Sequence, residues 1–440
     1  MPETKHYSRG QMMKVSFAGL IGTTVEFYDF YIFGTAAALV FSSQFFPALG
    51  PAGGTLAALA TFGVAFVARP FGSILFGHFG DRIGRKATLV ATLLMMGGAT
   101  VAIGVLPSAA TIGGLAPVLL VLLRIIQGIA VGGEWAGAVL LTGEHAPPER
   151  RGFYALFPQL GPALGLALSM GTFLATSLTM SPETFQTLGW RIPFLASFIL
   201  VVIGLFVRLS IEEPQSFAKL KSTRQLARNP LFEVVRKQPV QVFLGAGSLS
   251  MVFALFHTGA TWLISYGGTS LKLSNPTVLS IGIVGALIFA GVIAASASAS
   301  DRFGRKPLTI LACVLAIPWA LVLMPIVNIG SPLAFAVGLC VTLAIAGIGY
   351  GPVGAQLPEL FHTRYRYTGA GVAYSLAGVV GGALPPFVAQ ALIPVFGEMA
   401  VGYYLAAYAV LSLLCLLAMK ETRQANLDLV DAAADAKPKG

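Results

Sequence analysis

Twelve mostly apolar stretches of about 20 residues, the length that crosses a bilayer core as a helix, run along this 440-residue chain. They are centred near residues 29, 66, 97, 128, 165, 199, 253, 288, 317, 343, 380 and 409. The period-two alternation of a β-barrel is missing, so helices must satisfy the backbone. The stretches divide six and six around a polar segment, 211–240, rich in Lys, Arg, Glu, Gln and Pro. This pattern predicts an all-α polytopic membrane protein. Residues 1–15 precede a six-helix bundle at 16–210, the linker 211–240 follows, and a second bundle spans 241–420 before a tail at 421–440.

Charge orients these elements. Arg191 and Lys272 fall in outer loops and Arg69 and Arg124 within spans, leaving 24 of the 28 Lys and Arg residues on the side of the N-terminus. Cytoplasmic loops hold such an excess, so both termini are predicted inside a cell membrane. The net charge of +10 is then inner-loop charge facing an anionic leaflet, not a nucleic-acid footprint. The first span carries Glu26 and Asp29 and lacks a small-x-small cleavage site, so it reads as retained rather than as a signal peptide. Cys313, Cys340 and Cys415 all lie in apolar stretches and read as small buried hydrophobes.

Enzyme signatures are missing. The chain has no G-x-x-x-x-G-K-[ST], no C-x-x-C and no G-x-S-x-G, and its five histidines form no H-E-x-x-H pair. No metal or cofactor is expected. Transport driven by an ion gradient is the natural reading.

Charges at membrane depth are costly and mark function by default. Those in the spans are Glu26, Asp29, Arg69, Arg124 and Glu134. At about 1.5 Å per residue along a helix, Asp29 and Arg124 reach similar depth, with Glu26 one turn from Asp29 on the same face. Asp29–Arg124 is therefore the predicted proton-coupling pair, assisted by Glu26. A carboxylate beside Arg stays ionised, whereas one left unpaired in an apolar cavity takes a proton. A carboxylated substrate competing for Arg124 would release Asp29 to be protonated; the alternative is a permanent pair that fixes helix packing. Arg69 is a second carboxylate site or a structural partner of Glu134 or Glu26. Glu134, nearer the inner face, is expected to pair with Arg69 or the Asp81 loop. Tyr28, Tyr31, Gln127, His257, Trp262 and Gln356 complete the candidate substrate contacts.

One loop recurs. GHFGDRIGRK (Gly77–Lys86) returns 220 residues later as ASASDRFGRK (Ala297–Lys306), matching Asp81 with Asp301, Arg82 with Arg302, Gly84 with Gly304 and Arg85 with Arg305. Glu144–Arg151 likewise matches Glu359–Arg366 at an offset of 215. With R-I-I-Q-G at Arg124–Gly128 and E-E-P at Glu212–Pro214, the chain resembles the major facilitator superfamily over essentially its whole length. VEFYDFYIFG (Val25–Gly34), GGEW (Gly132–Trp135) and LPELFHTRYRYTG (Leu357–Gly369) resemble its metabolite:H+ symporter family, which includes uptake systems for shikimate, 2-oxoglutarate, citrate and proline/betaine.

The resemblance implies two pseudo-symmetric six-helix bundles and proton-coupled import of a small polar metabolite, most simply an organic anion. H+-coupled exchange and zwitterion uptake are the alternatives. It implies small-molecule substrate, proton and bilayer as partners, no nucleic acid, and function as a monomer. It also implies that Asp81 faces the start of span 11 in the other half, with Gly77, Arg82, Gly84, Arg85, Lys86, Asp301, Arg302 and Arg305 in the gate. Ala297 stands where the first copy has Gly77, so the second loop is expected to be the degenerate, less critical one. The chain stops soon after span 12, without the long heptad tail of betaine/proline members.

Overall fold

The computed structural model describes residues 9–83, 85–132, 134–210, 230–362 and 366–423. Among them there is no strand, and twelve long helical elements follow one another. In the first half, α1 is Arg9–Leu39, α2 Gly50–Ile83, α3 Arg85–Val105, α4 Leu115–Val131 with Glu134–His145, α5 Arg151–Thr179 and α6 Arg191–Ser210. In the second half, α7 is Pro239–His257 continued by Thr258–Leu263 and Ile264–Thr269. It is followed by α8 Asn275–Phe303, α9 Arg305–Val327, and α10 Pro332–Tyr350 with Val353–Glu359. Then come α11 Arg366–Gly378 continued by Val379–Ala383 and Leu384–Phe396, and α12 Met399–Ala418. Ten of these are long and apolar enough to span a membrane among the described residues; α3 contributes the shorter apolar run Val90–Val105. α1, which carries Lys14, Glu26 and Asp29, is not among the ten.

The halves meet along two seams, α5 against α8 and α2 against α11. The sequence repeat exchanges these seams, the signature of two copies of one bundle. Within the first half α2 lies against α4 because Gly132 has no side chain: a Cβ there would collide with the Arg69 carbonyl and the Ser73 amide. That approach fixes the backbone from which Arg69 projects. In α7 and α11 the α-helical ladder widens to π-turns at Thr258–Leu263 and Val379–Ala383, beside His257 and at the depth of the central cavity. Such bulges gather at functional sites because they re-aim side chains without ending the helix.

Candidate functional site

The core between the halves holds a cavity lined by Phe27, Phe30, Tyr31, Arg69, Phe253, Phe256, His257, Phe289, Tyr350 and Tyr374. Arg69 is its cation. Its Nε and Nη2 are buried without hydrogen-bond partners, and the guanidinium lies 4.5 Å from the Phe30 ring centroid and 4.4 Å from that of Phe66. The free Nε/Nη2 edge is the geometry that grips a carboxylate with two parallel bonds. His257 also keeps an unpartnered Nδ1, and its ring packs on Phe66 at 4.9 Å. An adjoining recess is lined by Glu26, Arg69, Trp135, Tyr374 and Ser375. Both Glu26 oxygens are buried and unpartnered there. One acid and one guanidinium thus share a water-poor space with aromatic walls, where unpaired polar groups are expensive.

Asp29 and Arg124 do not form the predicted direct pair. Asp29 accepts from Ser197 Oγ at 2.5 Å and from Thr100 Oγ1 at 3.2 Å. Arg124 donates Nη1 to Gln127 Oε1 at 2.9 Å, and Gln127 Nε2 donates to Thr100 Oγ1 at 2.8 Å. The two charges are joined through two neutral side chains. Thr100 has one hydrogen and two acceptors, Asp29 and the Met96 carbonyl at 2.9 Å, so its hydroxyl can serve the carboxylate or its own helix. Phe30, Phe33 and Phe62 fill the space around Arg124, 4.3, 4.1 and 5.2 Å from their centroids.

Other expectations are relocated. Glu134 pairs with Arg208 on α6, not with Arg69, because α4 turns it toward the end of α6; the Asp81 loop lies outside the residues whose side chains are described. The Tyr28 hydroxyl lies 3.1 Å from the Pro193 carbonyl and 3.3 Å from Thr172 Oγ1, tying α1 to α6 and α5. Trp262 stacks on Tyr266 at 5.0 Å. Gln356 accepts from Thr309 at 3.1 Å and joins α10 to α9. Of the predicted contacts, Tyr31, Arg69 and His257 reach the central cavity; Tyr28, Gln127, Glu134, Trp262 and Gln356 do not line it.

Beneath the recess an aromatic layer crosses the seams. Trp135 of α4 stacks on Tyr374 of α11, centroids 3.8 Å apart and planes 8° apart. Its indole N–H donates to Gln159 Oε1 at 2.8 Å, and Gln159 Nε2 donates to the Tyr350 carbonyl at 3.0 Å. The Tyr350 and Tyr374 hydroxyls are 2.8 Å apart. Neither Gln159 nor Tyr374 was singled out as a binding residue from sequence, since nothing in a neutral side chain reports a partner about 200 residues away.

Further out on that face lies the repeated loop. Gly77, Asp81, Arg82, Gly84, Arg85 and Lys86 fall outside the residues whose side chains are described. The second copy, expected to be the lesser one, makes a complete contact set. Asp301 accepts from the Gly152 and Phe153 amides, both at 2.9 Å, at the start of α5 in the opposite half. Arg305 donates to Asp301 at 2.7 Å and to Ser300 at 3.0 Å, and lies 3.6 Å from Glu359. Gly152 permits the close approach of α5 to this loop: a Cβ there would lie 2.6 Å from the Ala297 carbonyl and 2.8 Å from Asp301 Oδ1. Gly304 adopts φ +101°, the turn its glycine permits. Arg302 instead rests on its neighbour Phe303.

The segment after α12 closes this cluster. Glu421 accepts from the Arg305 and Lys306 amides at 3.0 Å, and Thr422 donates to Glu359 at 2.7 Å. Burial pushes the Glu421 carboxyl up, but the amides of Arg305, Arg423, Lys306 and Thr422 outweigh it and hold the group below its ordinary value.

The sequence profile of the Major Facilitator Superfamily matches residues 19–389. The chain is 43% identical over 419 residues to the inner membrane metabolite transport protein YhjE of Escherichia coli K12, covering 94% of this chain and 95% of that protein. It is 39% identical to the shikimate transporter of the same organism, covering 96% and 98%. The proton:xylose symporter XylE bound to 6-bromo-6-deoxy-D-glucose superposes with a TM-score of 0.74 at 18% identity, covering 96% of this chain and all of that one; at that identity the likeness concerns the fold.

Proposed function

The chain belongs to the Major Facilitator Superfamily and is a multi-pass membrane transporter, not an enzyme, and from that premise we propose that it is a proton-coupled symporter importing a small organic carboxylate by alternating access. The observation that carries this reading is the unpartnered Nε/Nη2 edge of Arg69 in an aromatic cavity whose lining includes Phe30, the chain neighbour of Asp29, an acid that accepts from the Ser197 and Thr100 hydroxyls. A carboxylate docks on that edge. Asp29 carries the proton, and its charge is sustained by Ser197 and by the Arg124–Gln127–Thr100 chain. When the substrate leaves, Glu26 in the recess offers Arg69 a replacement anion, so the empty carrier returns without a bare buried cation.

In this reading the bundles 16–210 and 241–420 rock about the cavity, linked by 211–240. The Asp301 face is cytoplasmic, with both termini on that side of the inner membrane. Opening toward the cytoplasm breaks the Trp135–Tyr374 layer and the Asp301–α5 contact. One chain encloses the whole pathway, so a monomer in a bilayer is sufficient. A relative named for shikimate transport supports a carboxylate substrate.

Reconstituted protein tests this against a panel of organic acids and betaines. An inward proton gradient should raise uptake of at least one acid above its equilibrium level. Expulsion of preloaded acid by that gradient would make it an exchanger, and binding without flux a receptor; either overturns the proposal.

A further inference from the structure

Phe30 touches both guanidiniums: Arg69, which faces the cavity, lies 4.5 Å from its centroid and Arg124, which serves the Asp29 chain, 4.3 Å. The ring belongs to α1 and is itself buried, packed at 5.1 Å against Phe62 and at 5.1 Å against Phe66. Arg124 is fully buried and donates Nη1 to Gln127; the other attraction on its charge is the set of aromatic faces. Two cations drawing on one ring weaken each other's hold, because each polarises the same electrons and repels the other.

Resting on the reading of Arg69 as substrate site and Asp29 as proton carrier, we propose that Phe30 is the positioning residue that couples them. While Arg69 lies on the ring, Arg124 is held less firmly there and donates through Gln127 and Thr100 to the Asp29 chain. When a substrate carboxylate draws Arg69 off the ring, Arg124 settles on Phe30. Its donation to Gln127 weakens, Thr100 turns its hydrogen to the Met96 carbonyl, and Asp29 takes a proton. The groups facing Asp29 are Thr100 from α3, Ser197 from α6, Arg124 through its chain from α4, and Glu26 and Tyr28 from α1. Among these Arg124 is the cation whose position Phe30 governs. The step balances: a hydronium in solvent gives up one O–H bond, the Asp29 carboxylate gains one as the anion enters, and no other covalent bond changes.

The test needs no identified substrate. Infrared titration of the purified full chain between pH 4 and 9 follows the protonated-carboxyl stretch, assigned to Asp29 by its loss in Asp29→Asn. Arg69→Lys keeps the charge at position 69 but removes the planar stack. At the pH where half of Asp29 is protonated in the parent, Arg69→Lys should raise that fraction to about three quarters or more, a threefold change in proton affinity. In a Phe30→Leu background, and in Phe30→Met as a second removal of the ring, the same Arg69→Lys change should leave the fraction where it was, as a double-mutant cycle requires. An equal rise with and without the ring, or no rise in the parent, overturns the coupling role of Phe30. An Asp29 band that does not titrate in this range overturns instead the reading on which it rests.

Discussion

Asp301 on α8 binds the backbone amide of Gly152 on α5, 2.9 Å away and in the other half of the molecule. An anion is unfavourable at the end of its own helix and favourable at the start of another. This carboxylate therefore stabilises one relative position of the halves: once they separate it keeps Arg305 of its own half but loses both α5 amides.

Asp301→Asn removes the charge facing the α5 N-terminus and the partner of Arg305. We expect the closed form of this face to weaken by about 1–2 kcal/mol, a factor of 5–30 in population. Hydrogen exchange at residues 151–155 should accelerate by that factor, with the far end of α5 unchanged.

Trp135→Ala removes the ring stacked on Tyr374 and orphans the Gln159 acceptor. The loss is about 3–5 kcal/mol for a buried Trp, borne by the conformation in which α4 and α11 touch. A cysteine at Ser375, which is buried beside the recess, should react with a membrane-impermeant thiol reagent at least tenfold faster in this background. Trp135→Phe, which keeps a ring, should fall between.

Thr100→Val leaves Gln127 Nε2 without its acceptor and Asp29 without one donor. The cost is about 1–3 kcal/mol for a buried unsatisfied group, read as a lowered thermal unfolding temperature in detergent. Thr100→Ser should restore both stability and pH dependence of transport, which separates the hydroxyl's role from packing.

Glu421 sets a pH window. Its folded carboxyl is held below the ordinary value of 4.5, so its docking onto α9 is in force at neutral pH and is lost as pH falls through and below that value. Proteolysis between Met419 and Arg423 should rise from pH 5 to pH 3. Glu421→Gln should be cleaved at a rate independent of pH across that window.

The spans were legible because bilayer length and apolar composition leave few alternatives, and Glu26, Asp29 and Arg69 because charge inside an apolar run stands out. The sequence repeat pointed to Asp301 and Arg305, whose contacts with α5 and Glu359 it could not specify. Depth along a helix is readable, but direction around the bundle is not. Asp29 and Arg124 are joined through Thr100 and Gln127. Thr100 was invisible because hydroxyls in spans usually bond their own helix, as this one also does toward Met96. Arg208 looked like ordinary inner-side charge until α6 brought it to Glu134. Trp135 and Tyr374 are 239 positions apart in sequence, and only the packing of α4 on α11 makes them one stacked pair.

The central claim is that Asp29 couples proton movement to substrate movement. The most direct measurement compares wild type and Asp29→Asn in proteoliposomes, using the acid that wild type accumulates best. The account predicts that the variant still exchanges labelled for unlabelled acid across the membrane but no longer accumulates it under an inward proton gradient. Accumulation at the wild-type level, still abolished by collapsing the gradient, would contradict it.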